Sequence, residues 1–372
     1  MSSNTSRFLQ PVAPADSAGP PRVALSPGLA AWLLEQGVSL AFTSYQTGRL
    51  IVAGVDPHGR VSLNEQNYAR AMGLHADSDG LYVASLFQIW RLKNMLRPGE
   101  FANRANDAVF VPRLAHTTGY VDAHDVGVEP SGRIVFVSSL YSCLATLDDT
   151  YSFRPVWKPP FISALAAEDR CHLNGLAMSG GTPRYATALS ATDRASGWRG
   201  QQGAGGVLID VLQDRVVADG LSMPHSPRML GDDVLLLESG RGTLVRVDPK
   251  TGERDTIAFC PGYLRGMAIF GDFALVGLSR LRESAFGALP LHSELERLGL
   301  APWCGVAIVD LRSGAVVEFI HYETQITELF DVAILPGIRN PVTIGPATEE
   351  LLNVVRPHPD FAPALPEAPE PG

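Results

Sequence analysis

Short apolar runs, each interrupted by one tight polar turn, recur along the chain. The stretch from Val121 to Ser139, "VDAHDVGVEPSGRIVFVSS", holds a polar pair, a first apolar run, a Pro-Ser-Gly turn and a second apolar run that ends in serine. Short apolar segments bounded by turn residues are typical of β-strands. Five other stretches follow the same plan: "RAMGLHADSDGLYVAS", "LNGLAMSGGTPRYATALS", "PHSPRMLGDDVLLLES", "LRGMAIFGDFALVGLS" and "LFDVAILPG".

These six stretches align on one residue each, which we call the anchor of the repeat. The anchors are Leu74, Val126, Leu176, Pro227, Met267 and Val332. Neighbouring anchors are 40 to 65 residues apart, and an interval near 40 to 50 residues is typical of the blades of a β-propeller. The pattern therefore predicts a ring of repeated sheets.

Additional hairpins fill the intervals between the anchors. Asp210, Asp248 and Asp310 open turns within "GVLIDVLQDRVVAD", "GTLVRVDPKTGERDTIAF" and "GVAIVDLRSGAVVEFI". Aspartate caps such turns with its own side chain, and a following glycine supplies positive φ. Each repeat then contains four strands, as a propeller blade requires.

The two ends of the repeated region complement one another. The segment "VSLAFTSYQTGRLIVAGVDPHGRVSL" reads as outer strands without an inner strand, and the strand at Val332 is an inner strand without outer ones. Joining them closes the ring and removes the exposed edges of an open sheet. We therefore predict an all-β fold, a six-bladed β-propeller closed by N-terminal strands that pair with the last inner strand.

Proline content sets the predicted limits of the folded domain. We expect a disordered leader at residues 1–28, the propeller at 29–355 and a Pro-rich disordered tail at 356–372, because repeated proline blocks regular pairing. The one predicted helix lies in the long interval from Glu283 to Leu300, with Ser293 as its cap and Gly299 as its end. We expect the insertion from Arg280 to Leu300 to cover one face of the ring.

Composition narrows the classes of function. The 372 residues carry a formal net charge of −9, with an isoelectric point near 5.5. An acidic chain lacks the clustered cations that bind nucleic acid or anionic lipid, so neither partner is expected. The four cysteines, Cys143, Cys171, Cys260 and Cys304, form no C-x-x-C pair and are expected to be buried free thiols. Without a secretory signal or a membrane span, a cytoplasmic protein is the expectation.

Three segments carry a resemblance to known proteins: "SLAFTSYQTGRL", "FQIWRLKN" and "CHLNGLAM". The region from Trp32 to Pro346 resembles an uncharacterised, mostly bacterial family of six-bladed β-propeller-like conserved proteins. More distantly it is similar to gluconolactonase and strictosidine-synthase-like propellers. In gluconolactonases Glu, Asn and Asp from different blades hold a divalent cation on the axis. The resemblance implies such parts for Asn174 and Asp331, with Met72 where the glutamate would stand.

Residues just before the anchors should converge on the central channel, because the inner strands begin there. Two positions before the anchors stand Met72, His124, Asn174, His225, Arg265 and Phe330. One position before stand Gly73, Asp125, Gly175, Ser226, Gly266 and Asp331. At or close to four positions before stand Arg70, Asp122, His172, Tyr263 and Glu328. The channel mouth is therefore expected to be rich in imidazole, guanidinium and carboxylate groups.

This set of side chains suggests a metal site. His124, His172 and His225 come from three successive blades, and imidazole nitrogen is preferred by Zn, Cu, Fe or Ni. Three protein ligands with one open position are typical of a catalytic metal. The alternative is that each histidine is a hydrogen-bonded core residue.

The other polar residues of the mouth complete the predicted site. Candidate acid–base residues or partners of the metal ligands are Asp125, Asn174, Asp331 and Glu328. Candidate substrate-binding residues are Arg70, Arg265, Trp198 and Arg280. As alternatives, Asp125 caps its own turn and Arg265 pairs with Asp331 for structural reasons.

Three hypotheses for the function follow. The first is a metal-assisted enzyme that acts on a small molecule in the axial pocket, with hydrolase, lyase, isomerase and oxidoreductase chemistry all open. The second is a ligand- or protein-binding propeller scaffold without catalysis. The third is a metal-free enzyme that uses histidine and aspartate directly. "GQQGAGG" lacks the Lys and Ser/Thr of a phosphate loop, and the chain has no Gly-x-Ser-x-Gly elbow.

Overall fold

The protein is a six-bladed β-propeller. The computed structural model describes residues 21–78, 80–280 and 289–358. Its first strands are β1 (Val23–Leu25), β2 (Val38–Ser44), β3 (Arg49–Val55), β4 (Val61–Asn67), β5 (Leu74–Asp77), β6 (Gly80–Ala84), β7 (Gln88–Asn94) and β8 (Ala108–Thr117). They are followed by β9 (Ala123–Val128), β10 (Ile134–Ser138), β11 (Cys143–Thr146), β12 (Arg154–Trp157), β13 (Leu173–Ser179), β14 (Thr182–Ala188), β15 (Gly206–Asp210) and β16 (Arg215–Leu221). The last strands are β17 (Pro224–Leu230), β18 (Asp233–Glu238), β19 (Thr243–Val247), β20 (Arg254–Phe259), β21 (Tyr263–Phe270), β22 (Phe273–Ser279), β23 (Cys304–Asp310), β24 (Val316–Tyr322), β25 (Val332–Pro336) and β26 (Pro341–Thr343).

Each blade is an antiparallel sheet whose inner strand lies at or next to one of the predicted anchors. From the axis outward, blades 1 to 5 are β5–β8, β9–β12, β13–β16, β17–β20 and β21–β24, and blade 6 is β25–β2–β3–β4. Two short strands extend the rim, since β26 pairs in parallel with β8 and β1 pairs antiparallel with β24. The predicted number of blades and their order are confirmed.

Ring closure follows the predicted pairing. β25 joins β2 in a register that runs from Val38 opposite Pro336 to Phe42 opposite Val332. Phe42, Val332 and Leu40 are buried in one apolar cluster with residues of blade 5. The expected leader boundary at residue 28 is too late, because β1 lies within it and pairs with β24. The predicted leader up to residue 20 and the tail from residue 359 lie outside the described residues.

Two helices lie outside the blades. α1 (Leu29–Gln36) has no counterpart in the sequence prediction and ends at Gly37, whose φ of 63° is left-handed. It buries Trp32, whose ring contacts Phe273 of blade 5 edge-on at 5.3 Å. α2 (Pro290–Leu298) begins three residues before the predicted cap, Ser293, because Pro290 suits the first turn of a helix.

α2 belongs to the insertion that was expected to cover the ring. Its buried residues Leu291 and Leu295 share an apolar cluster with Trp198 and Tyr263, so the helix packs beside the mouth of the channel. Residues 281–288 of the same insertion lie outside the described residues. A 3₁₀ helix at Glu349–Leu352 follows the last blade. Neither described α-helix has the length and hydropathy that crossing a membrane requires.

The four cysteines are buried free thiols, as expected. Burial raises the pKa of Cys143, Cys171 and Cys260 to about 12, and burial also raises the pKa of Cys304. A thiol with a raised pKa is a poor nucleophile and a poor metal ligand. The cysteines therefore act as small apolar core residues.

Glycines in blades 1, 3 and 5 allow each of these blades to approach the next one closely at the axis. All three stand one position before an anchor. A Cβ atom on Gly73 would lie 2.8 Å from the carbonyl oxygen of His124, and one on Gly175 would lie 3.0 Å from the backbone nitrogen of Ser226. One on Gly266 would lie 2.4 Å from the Cα of Asp331.

Polar side chains occupy the same position in blades 2, 4 and 6. Each accepts a hydrogen bond from the backbone of the following blade. Leu176 N donates to Asp125 Oδ2 at 3.0 Å, Gly266 N to Ser226 Oγ at 3.0 Å, and Leu74 N to Asp331 Oδ2 at 2.8 Å. Around the axis, contacts between neighbouring blades that are made at a glycine therefore alternate with contacts that are made by a polar side chain. We call the former the glycine junctions.

The glycine junctions can be tested with a matched pair of variants. Gly73→Ala would force a Cβ against backbone atoms of blade 2, so we expect the free energy of unfolding to fall by about 1–3 kcal/mol, as for other overpacked sites. Gly203→Ala is the control, because nothing lies within 4 Å of its Cβ position. Urea unfolding of both variants measures the difference. Equal stability of the two would contradict the close-approach role of Gly73.

Candidate functional site

A cavity of about 550 Å³ opens at the end of the channel where the inner strands begin. Its rings come from Tyr45, Tyr120, His124, His172, Trp198, Tyr263 and Phe330. Its charged groups come from Asp122, Glu168, Asp169, Arg199, Arg265, Arg280 and Glu328. Six of the eleven candidate site residues therefore line one pocket: His124, His172, Trp198, Arg265, Arg280 and Glu328.

Rings in mutual contact form one wall of this axial pocket. Phe330 lies 5.9 Å from Tyr45 and 5.1 Å from His124, between ring centroids. His124 is 4.8 Å from His172, which is 4.6 Å from Trp198. We call these five residues the aromatic wall. Aromatic rings prefer edge-on and offset contacts with other rings.

His172 is the best-oriented titratable group in the pocket. Its Nδ1 lies 2.8 Å from Asp169 Oδ1, and Trp198 Nε1 donates to the other carboxylate oxygen at 2.8 Å. A carboxylate on Nδ1 favours the tautomer that carries its proton there and leaves Nε2 as an acceptor. Within the described part of the chain, Nε2 has no hydrogen-bond partner. His172 can therefore accept a proton from a bound molecule.

The backbone around the pocket is strained at matching places in successive blades. Four positions before the anchors of blades 1 to 4, Arg70, Asp122, His172 and Met223 have φ between 49° and 54°. Asp169, with a φ of 47°, adds another. Left-handed residues other than glycine cost free energy and cluster at functional sites. Four of these five residues, Asp122, Asp169, His172 and Met223, line the axial pocket.

His124 and His225 are buried, and burial disfavours their charged forms. His124 Nδ1 lies 3.0 Å from the carbonyl oxygen of Asp122, and His225 Nδ1 lies 3.0 Å from that of Met223. Burial lowers the pKa of His124 to about 4, although Asp122 opposes it, and burial lowers the pKa of His225 well below its usual value. His225 Nε2 is buried without a hydrogen-bond partner among the described residues.

The three histidines predicted as metal ligands share one feature of their hydrogen bonding. Each presents Nδ1 to the protein, as the second nitrogen of a metal-bound imidazole usually does. Among the described residues, however, no three His, Cys, Asp or Glu side chains are arranged to hold a metal ion. Ligation of a metal ion by His124, His172 and His225 stays a prediction.

The predicted arginines have different environments. Arg265 lies over the rings of Phe330 and Tyr263, 4.9 and 5.5 Å from their centroids. Arg70 lies behind the pocket, where it donates to the Tyr45 hydroxyl and covers its ring at 4.8 Å. Arg280 lines the pocket, but its Nη2 donates to the carbonyl oxygen of Glu323 at 2.7 Å. Of these three arginines, Arg265 is therefore the best placed to bind an anion.

Asp125 and Asp331, predicted as acid–base residues, are held in a buried ion-pair cluster. Arg228 Nη1 donates to Asp125 Oδ2 at 2.9 Å, and Arg228 Nη2 lies 3.7 Å from Asp331 Oδ1. Arg228 also donates to the carbonyl oxygens of Leu176 at 3.0 Å and Met267 at 2.9 Å. We call Arg228, Asp125 and Asp331 the clasp. Arg228, and not Arg265 as the structural alternative expected, is the partner of Asp331.

The clasp lies across the channel and separates two cavities. Arg228 lines a second cavity of about 770 Å³ at the opposite end, which does not share residues with the axial pocket. Burial, and then the charge of Asp125, raise the pKa of Asp331 to about 7 against the effect of Arg228. Both carboxylates also accept backbone hydrogen bonds, from Val126 N and Val332 N at 2.9 Å. The clasp therefore has a structural role.

Sequence reasoning missed two important residues. Arg228 follows its anchor in "HSPRML", and a charge inside an inner strand was the signal that could have identified it. Asp169 lies further before its anchor, Leu176, than any of the positions that were compared between the repeats. The alignment of the repeats therefore did not identify it. Its signal was the local spacing to His172, three residues later.

Comparisons with known proteins support the fold and leave the activity open. Residues 27–344 match the model of a family described as "Domain of unknown function (DUF4915)". No curated protein matches the chain. A chain of the nidogen/laminin complex is similar at 13% identity and a TM-score of 0.53, over 81% of this chain and 99% of that one. A virginiamycin B lyase from Staphylococcus aureus is 11% identical with a TM-score of 0.40, over 64% of this chain and 73% of that one.

Removing the cation of the clasp should strongly destabilise the protein. Arg228→Met leaves two buried carboxylates without their partner, so we expect the free energy of unfolding to fall by about 3–5 kcal/mol. Arg154→Met removes an exposed partner of Asp148 and should cost less than about 1 kcal/mol. Denaturant unfolding at pH 7 compares the two. Similar losses would show that the clasp is dispensable.

Asp331 and His124 should affect the pH dependence of stability in opposite directions. The raised pKa of Asp331, about 7, stabilises the fold most below pH 3.8, and this contribution is lost as the pH rises through 7. The lowered pKa of His124, about 4, gives stability that is present above pH 6.5 and lost as the pH falls through 4.

Single variants separate the two contributions. Between pH 4.5 and 6, stability should increase more steeply with pH in Asp331→Asn than in wild type, and less steeply in His124→Gln. Each slope should change by at most about 1.4 kcal/mol per pH unit, the value for one proton. His58→Gln, at an exposed turn, is the control. Urea unfolding across this range measures the slopes, and parallel curves for all variants would refute both assignments.

Proposed function

The chain belongs to the DUF4915 family, a domain of unknown function, and we propose that it is an enzyme acting on a small anionic molecule in the axial pocket. In this proposal His172 transfers a proton to or from the bound molecule. The observation that carries the proposal is the hydrogen-bonded series from His172 through Asp169 to Trp198.

The series supports acid–base chemistry for a physical reason. Asp169 orients the imidazole, and its negative charge stabilises the imidazolium that forms when Nε2 accepts a proton. Trp198 binds the second carboxylate oxygen and so limits rotation of Asp169. Nε2 would take the proton of a substrate C–H or O–H bond, or of a water molecule, and the electron pair of that bond would stay on the carbon or oxygen atom. Left-handed backbone at both Asp169 and His172 supports a function maintained at a cost in stability.

The pocket's lining supports a substrate with a flat part and an anionic group. The aromatic wall suits the flat part, and the guanidinium of Arg265 suits a carboxylate. Arg265 is half-buried, where a charge–charge interaction is stronger than in water. The cavity of about 550 Å³ lies within the size range of small-molecule sites.

The proposed chemistry requires no metal ion. Ligation of Zn, Cu, Fe or Ni by the three histidines would add a Lewis acid to the same pocket. A chelator distinguishes the two versions, because turnover that persists in its presence belongs to the His172 mechanism. Turnover that is lost and restored by one metal would instead favour the metal-assisted enzyme.

The catalytic role of His172 can be tested by conversion of small carboxylates. Aryl-substituted carboxylates, their esters and their lactones would be incubated with the protein in D₂O and followed by proton NMR, which detects both cleavage and hydrogen exchange. For a compound that wild type converts, His172→Gln should lower kcat by about 100-fold or more with little change in binding. Asp169→Asn should act in the same direction, because it removes the orienting charge.

Arg265→Leu and His58→Gln serve as matched comparisons. Arg265→Leu should weaken binding of the anion. His58→Gln, at an exposed position, should change neither kcat nor binding. Conversion by His172→Gln at the wild-type rate would refute the mechanism. Compounds that bind but are never converted would favour the ligand-binding scaffold.

A further inference from the structure

Three polar groups from successive blades are left without partners next to the axial pocket. They are Asn174 Nδ2, His225 Nε2 and Arg265 Nε, and none has a hydrogen-bond partner in the described part of the chain. All three residues stand two positions before their anchors. Asn174 and His225 are each only 4% exposed. Burying such groups unpaired is costly, and a bound molecule that pairs with all three would remove this cost.

Contacts between the blades bring these residues into one neighbourhood. The backbones of blades 3 and 4 approach each other at Gly175, next to Asn174, and Gly266 N donates to Ser226 Oγ beside Arg265 and His225. The His225 ring also lies 5.8 Å from that of Tyr263, which Arg265 covers. Both Tyr263 and Arg265 line the axial pocket. The three groups lie on successive blades beside this pocket, and we call them the subsite.

Hydrogen bonds around His225 and Asn174 determine which groups of the subsite are donors and which are acceptors. The hydroxyl of Ser239 donates to the Leu264 carbonyl at 2.6 Å, so it accepts from His225 Nδ1 at 2.8 Å. His225 Nδ1 therefore carries the proton, and Nε2 is an acceptor. Asn174 Oδ1 accepts from Thr187 at 2.7 Å, which leaves its NH₂ group as a donor. The subsite offers two donors, from Asn174 and Arg265, and one acceptor.

We propose that this subsite binds the 2-hydroxycarboxylate end of the ligand. The proposal rests on the proposed function, because it names the polar end of the same substrate. The carboxylate accepts from Asn174 and Arg265, and the neighbouring hydroxyl donates to His225 Nε2. A 2-amino group fits less well, because an ammonium ion would have two further protons unpaired and would be repelled by Arg265.

Three probes that differ by one group each test the subsite. They are mandelate, with a ring, a carboxylate and a 2-hydroxyl; phenylacetate, which lacks the hydroxyl; and mandelamide, which lacks the charge. The tighter-binding enantiomer of mandelate should have a Kd about tenfold below that of phenylacetate, because phenylacetate leaves His225 Nε2 unpaired. Mandelamide should bind at least tenfold more weakly than mandelate. Calorimetric titration of the wild-type protein measures all three.

Two variants test which residue recognises the hydroxyl group and which recognises the carboxylate. His225→Phe should bring the mandelate and phenylacetate Kd values together, whereas Asn174→Leu should weaken both and keep their ratio. Ser39→Ala is the control, because it removes an unpartnered hydroxyl in β2, outside the pocket's lining, and should leave the ratio unchanged. If either variant fails to fold, the wild-type ratio still decides.

The outcomes separate this proposal from the proposed function. Equal binding of mandelate and phenylacetate would overturn the subsite, since the unpaired groups would then hold only water, while the anion-binding pocket would stand. Failure of all three probes to bind would overturn both proposals.

Discussion

The guanidinium of Arg228 is the interaction on which the inner ring depends. It starts in blade 4 and reaches carbonyl or carboxylate oxygens of blades 2, 3, 5 and 6. Asp331 extends this network to blade 1 through Leu74 N. A single planar cation with five N–H groups can serve several directions at once, which a lysine could not. The radius of the channel is therefore set at one point by electrostatics as well as by strand packing.

Glycines and polar side chains alternate around the axis because the inner strands are crowded there. Six inner strands converge, and three junctions omit a side chain while three use one to bond the neighbouring backbone. The aspartates of blades 2 and 6 are the two that also bind Arg228, so their carboxylates have both strand-capping and charge-pairing roles. With the middle of the channel occupied in this way, each end becomes a separate cavity, and His124 and His172 line only one of them.

Much of this arrangement could be predicted because propeller geometry is periodic. Once Leu74 and Val332 were aligned as anchors, the blades, the closing pair and the convergence of His124, His172 and Arg265 followed from register. Asp169 could not be found this way, because it lies on a connecting segment whose path depends on packing against Trp198. Arg228 was missed because its partners are up to 103 residues away in sequence. α1 was missed because its stability comes from burying Trp32 against another blade, which local pattern does not reveal.

Closure of the ring by β25 has a consequence for how the chain folds during synthesis. β2 leaves the ribosome nearly 300 residues before the strand that completes its sheet. Until then blade 6 has an open inner edge, and contacts of such long sequence separation are slow to form. Blades 1 to 5 can fold one after another as they leave the ribosome, as successive domains do. The pocket, which takes Tyr45 from one end and Phe330 from the other, exists only after the last blade has closed.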